Sequence, residues 1–160
     1  PEVKILESFL PSGGALSNED VKVVARIEEM HEKNPFGSPI LSEMVEETGK
    51  PQKKVKELIA YLTQMGILVP LSSDLAIHMS AAADAEKKLV HRLLTGGAMA
   101  SSEFKDIIGA TRKYVIPLLE TFDKKGVTKR NGNERELAQG WEKFVYETTL
   151  DAVDTEASSE

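Results

Sequence analysis

Thr111, Arg112, Lys113 and Tyr114 stand side by side, and Lys129, Arg130, Asn131, Asn133 and Arg135 follow a little downstream. Guanidinium and ammonium groups pair with phosphate, and a guanidinium can grip the edge of guanine with two hydrogen bonds. A tyrosine ring can stack on an unpaired base. These are the residue types of a nucleic-acid-binding face, with Lys105 as a weaker addition. Between Lys105 and Arg135 there are eight bases against four acids, a local charge of +4 in a chain whose net charge is -6. A polyanion is steered by the local field, so the acidic average excludes nothing. The same residues would also suit a solvated face, with Tyr114 at the edge of a core.

Other chemistry is poorly represented. Without cysteine there is no disulfide scaffold, thiolate zinc site or cysteine nucleophile. His31, His78 and His91 are the only histidines, and none stands with a second ligand in a recognised metal-binding spacing. They read as ordinary surface or partly buried imidazoles. Thr95-Gly96-Gly97 and Ser12-Gly13-Gly14 lack the lysine of a phosphate-binding loop. Glu28-Glu29 and Glu46-Glu47 fall where solvated helix faces are expected. No catalytic residue, metal or cofactor is expected, so the chain reads as a non-enzyme. No apolar run approaches the roughly 20 residues of a bilayer span. The start at Pro1, without an initiator methionine, suggests a piece of something longer.

The elements that must position the basic residues come from an internal repeat. Gly49 and Gly66 bracket sixteen residues, as do Gly109 and Gly126 at an offset of 60. Inside the first bracket Val55, Leu58, Ile59 and Leu62 make one apolar helix face, and Val115, Leu118, Leu119 and Phe122 repeat it. Each copy predicts three helices and a hairpin. In the first, Ser17 and Asp20 make a capping pair for a helix to about His31, Ser38-Pro39 opens a second, and Pro51 opens a third. Its hairpin turns at Ser72-Ser73-Asp74. In the second copy, helices are expected over 83–94, 101–108 and about 112–125, with a hairpin turning at Asn131-Gly132, both in positive φ. Pro117, inside the last of these helices, predicts a kink or a tighter opening turn.

This is the winged-helix form of helix-turn-helix, in tandem: mainly α, with small β-hairpins. Residues 1–16 read as a linker from a preceding part, 17–80 as a spacer module and 81–137 as the nucleic-acid-binding module. Residues 138–160 form an acidic tail of charge -5. Trp141, Phe144 and Val145 could dock one helical turn, with fraying expected beyond about Leu150.

The stretch Gly109–Leu137 carries Arg112-Lys113, then Pro117-Leu118-Leu119-Glu120, Phe122-Asp123, Gly126, Thr128, Arg130, Gly132 and Arg135. It resembles the final winged-helix module of the bacterial selenocysteine-specific elongation factors (SelB). The resemblance implies a C-terminal fragment holding the last two of four winged helices. It implies that the last module grips the SECIS hairpin, the messenger-RNA stem-loop that marks UGA for selenocysteine. The implied contacts are Arg112, Lys113, Tyr114, Lys129, Arg130, Asn131 and Arg135, with Lys105 weaker. GTP hydrolysis, the ribosome and selenocysteyl-tRNA would belong to the absent part of such a factor, in the cytoplasm, and the fragment itself is expected to be a monomer. A tandem winged-helix regulator of duplex DNA and a protein-interaction module remain as alternatives.

Overall fold

The computed structural model describes residue 10 and residues 14–159. It divides into two compact units, one ending at Met79 and the other starting at Ser80. Most of the expected linker 1–16 lies outside the described residues, although Leu10 and Leu16 join the first core.

The first unit contains α1 (Asn18–Lys33), α2 (Leu41–Thr48), α3 (Gln52–Gln64), β1 (Leu68–Ser72) and β2 (Leu75–His78). Helix α1 starts where the sequence places it. The Ser17 hydroxyl accepts from the Asp20 N–H (3.0 Å), and the Asp20 carboxylate accepts from the Ser17 N–H (3.3 Å). Burial works to raise the Asp20 pKa, but the Ser17 N–H and the Lys54 ammonium outweigh it and hold the carboxyl below its ordinary value. Helix α2 starts later than expected: the Glu43 carboxylate closes on the Ile40 N–H (2.9 Å), so Ile40 is the cap and Pro39 stays outside. Val24, Ile27, Met44, Val55, Leu58, Leu62 and Leu68 fill the core beneath the hairpin. His31 and His78 are buried, more deeply than the surface or partly buried imidazoles expected. Burial pushes the His31 pKa down, against the bond from Nδ1 to the Ile27 carbonyl (2.8 Å).

The second unit follows with α4 (Met79–Gly96), β3 (Met99–Ala100), α5 (Ser101–Ile108), α6 (Arg112–Lys125), β4 (Thr128–Asn131), β5 (Glu134–Leu137), a 3-10 turn (Trp141–Lys143) and α7 (Glu147–Ser159). Helix α4 begins four residues before the sequence reading put it, directly after β2, because the Met-Ser-Ala-Ala-Ala run contains no helix breaker. The two-residue strand β3 has no periodicity to betray it. It pairs with β5 through Met99↔Arg135 and Ala100↔Glu134, giving a sheet in the order β3-β5-β4. Phe104, Val115, Leu118, Leu119, Phe122 and Val127 are fully buried around these elements.

The C-terminal segment departs most from expectation. Where fraying was expected, α7 runs to Ser159. Its anchor is Glu86 on α4, whose side chain is 0 % exposed. One carboxylate oxygen accepts from the Tyr146 N–H and the Thr149 hydroxyl, both at 2.7 Å, and the other pairs with Lys125 at 2.6 Å. The Lys125 ammonium also lies 3.6 Å from the centre of the Tyr146 ring, a cation–π contact. A buried carboxylate needs this much compensation. At the same C-terminal end of α6, Gly126 has φ 95°, and the Phe144 ring lies 2.9 Å from where a Cβ would be built. No side chain fits there. Among the described residues, no helix is long and apolar enough to cross a membrane.

Replacing Glu86 by alanine strands the Tyr146 N–H and the Thr149 hydroxyl. The expected cost is about 3 kcal/mol of second-unit stability. Urea unfolding followed by the fluorescence of Trp141, the single tryptophan, measures it.

Candidate nucleic-acid interface

Helix α6 is the third helix of the second unit, and its first turn is electrostatically unusual. The macrodipole favours acids at a helix N-terminus. Helices α1, α2 and α5 follow that rule with Glu19 and Asp20, Glu43, and Glu103. Helix α6 has no acid in its first turn; it begins with Arg112 and Lys113, and the Thr111 side chain makes no cap bond. The turn is closed tightly instead, by the Tyr114 N–H (3.0 Å) and the Val115 N–H (3.1 Å) on the Thr111 carbonyl. The helix runs on through Pro117 to Lys125. Thr111, Arg112 and Lys113 are exposed, as is Lys105 on α5. Among the described residues, none of these three cations belongs to an ion pair. Free N–H groups and unneutralised cations at one helix end suit an incoming anion.

The wing supplies the second group. Lys129, Arg130, Asn131 and Asn133 are exposed on and around its turn. Only Gly132 there has positive φ (64°), so the left-handed residue sits at the first central position, the φ pattern of a type II′ turn. This corrects the sequence reading, which placed Asn131 in positive φ as well. The Arg130 Nε donates to the Gly132 carbonyl (2.9 Å), which orders the side chain at the tip. Lys129 faces Glu136 across the strands at 3.4 Å, a contact that is mostly solvated.

Two expected contact residues do not belong to this surface. Arg135 is 3 % exposed. Its guanidinium grips Asp123 of α6 with Nε at 3.1 and 3.0 Å from the two carboxylate oxygens, and with a terminal nitrogen at 2.9 Å. The same Asp123 accepts from the Thr128 hydroxyl at 2.6 Å. Arg135 is therefore a fastener between wing and helix. Tyr114 is 5 % exposed, with its ring in the core, so it has no face to offer a base. Asp123 belongs to the Phe122-Asp123 pair noted in the sequence, but its pairing with Arg135 was not foreseen.

The repeat provides an internal comparison. In the first unit α3 also opens without an acid, with Lys53 and Lys54 in its first turn. There, however, Lys50 pairs with Glu19, and Lys54 with Asp20 and Glu57 at 3.3 Å each. Lys53 and Lys56 stay exposed, but half of the cluster is neutralised from within, and the first wing turn carries no base.

Residues 92–137 match the family described as "Elongation factor SelB, winged helix". The selenocysteine-specific elongation factor of Desulfomicrobium baculatum is 27% identical over 99 residues, which make up 62% of this chain and 16% of that protein. The factor of the same name from Escherichia coli K12 is 25% identical over 95 residues, 59% of this chain and again 16% of that protein. The chain thus matches about a sixth of the length of these relatives. Two solved structures share the fold. The mRNA-binding domain of E. coli SelB, in complex with SECIS RNA, superposes with a TM-score of 0.66 at 23% identity, over 77% of this chain and 99% of that one. A bacterial selenocysteine-specific elongation factor superposes with a TM-score of 0.63, also at 23% identity, over 86% of this chain and 22% of that one.

Replacing Asp123 by alanine leaves the Arg135 guanidinium buried without a counter-charge. The second unit should lose about 2–3 kcal/mol, and the β4 and β5 amides should exchange with solvent sooner than those of α6 in a hydrogen-exchange measurement.

Proposed function

We propose that this chain, which carries a SelB-type winged-helix module, is the part of a selenocysteine-specific elongation factor that grips the SECIS hairpin in messenger RNA. The observation that carries this reading is the contrast between the two repeats. Among the described residues, the first unit neutralises Lys50 and Lys54 internally and leaves Lys53 and Lys56 exposed, whereas none of Lys105, Arg112 and Lys113 in the second belongs to an ion pair. Cations held against a helix dipole destabilise the free protein slightly, and an arriving phosphate relieves that cost.

The division of labour follows from position. Thr111, Arg112, Lys113 and Lys105 hold the phosphates of the stem, while Lys129, Arg130, Asn131 and Asn133 reach the loop or a splayed base. Helix α6 has 14 residues and is about 21 Å long, so both groups lie within reach of one stem-loop. Tyr114 and Arg135 support this surface from behind. The first unit is a spacer. GTP hydrolysis and the dealings with the ribosome and selenocysteyl-tRNA belong to the rest of such a factor, in the cytoplasm.

Gel-shift titrations with a SECIS hairpin, its loop mutant and a random DNA duplex test the reading. Arg112→Ala and Arg130→Ala should each weaken hairpin binding by about 1–3 kcal/mol and lower the salt slope by about one, while Lys50→Ala in the first unit should change little. Equal affinity for hairpin, loop mutant and duplex would count against recognition of a stem-loop.

A further inference from the structure

We propose that Glu28, Glu32 and His78 of the first unit form a binding site for a divalent cation of the zinc type, tying β2 to α1. Glu28 and Glu32 are one helical turn apart on α1, where side chains at i and i+4 stand together. His78 ends β2, is 5 % exposed, and points its ring at both. Its Nε2 lies 2.8 Å from a Glu28 carboxylate oxygen and 3.9 Å from one of Glu32. The three ligand atoms all lie within 4.8 Å of one another.

Tetrahedral zinc with ligands at 2.0–2.2 Å sets neighbouring ligand atoms about 3.3 Å apart. The Glu28 contact would open by about half an ångström and the Glu32 contact close by about as much, within the range of side-chain rotation. Charge points the same way. Two carboxylates face one imidazole, and among the described residues no lysine or arginine pairs with either glutamate. A dication bound by a neutral imidazole and two carboxylates would be balanced. The nitrogen ligand and small cluster favour zinc over magnesium, which demands octahedral oxygen and holds its waters. Water would complete the coordination. No spacing rule finds this site, because the third ligand comes from 50 residues beyond Glu28.

The site is independent of the RNA-binding surface, so its fate is read separately. The test is calorimetric titration of the chelator-stripped full chain with zinc chloride near neutral pH, with magnesium chloride as control. Thermal unfolding is followed with and without zinc. The expected result is one zinc per chain, far weaker magnesium binding, and a zinc-dependent rise in the unfolding temperature of the first unit. Glu32 is half exposed, so Glu32→Gln should fold normally by circular dichroism while binding zinc at least tenfold more weakly. Adding Glu28→Gln should abolish both binding and the thermal shift. Absence of stoichiometric zinc binding by the parent, or a double variant that binds within tenfold of it, would overturn the proposal.

Discussion

The buried pairing of Asp123 with Arg135 decides what the second unit can present to a ligand. It joins the last strand to α6, and through the Thr128 hydroxyl it takes hold of the other wing strand as well. A salt bridge this well buried contributes little net stability, but losing one partner is costly. Its value here is positional: the wing is fixed at one angle to the helix whose first turn carries Arg112 and Lys113. The same pairing withdraws one arginine and one aspartate from the surface, leaving its exposed basic residues with fewer acids among them. Glu86 does equivalent work at the C-terminal side, where it recruits Lys125 and the start of α7 into one network. One buried acid, Glu86, and one half-buried acid, Asp123, therefore organise the second unit.

The tandem repeat carries two different charge patterns on one frame. Both units use the same helix, glycine and hairpin order, with homologous apolar positions in the core. They differ in the destination of their charges. Glu19, Asp20 and Glu57 answer lysines of the first unit, whereas in the second Asp123 holds the wing fastener and Glu86 the α7 anchor. What separates the two units is therefore the pattern of charge outside a shared core.

Much of the frame was legible in the sequence because it rests on local rules. The Ser17–Asp20 cap, the apolar stripe between bracketing glycines and the glycine-containing wing turn are each written in a few adjacent residues. The errors lie where distant residues decide. Segment 147–159 is acidic and rich in small polar residues, and no local signal says that Glu86, some sixty positions earlier, will hold its first turn. Counting cations could not reveal that Arg135 was already engaged by Asp123. Tyr114 looked like a stacking residue because its type fits, but its place on the helix turns it into the core. The cluster of Glu28, Glu32 and His78 is likewise a product of the fold: two residues share a helix, and the third arrives with the hairpin.

The most direct measurement of the central claim is a map of backbone amide shifts on adding a SECIS hairpin to the isotopically labelled chain. The account predicts that perturbations concentrate at 105–113 and 129–134, with the first unit and α7 nearly silent. Shifts centred on α3 and the first wing, or spread evenly over both units, would contradict it.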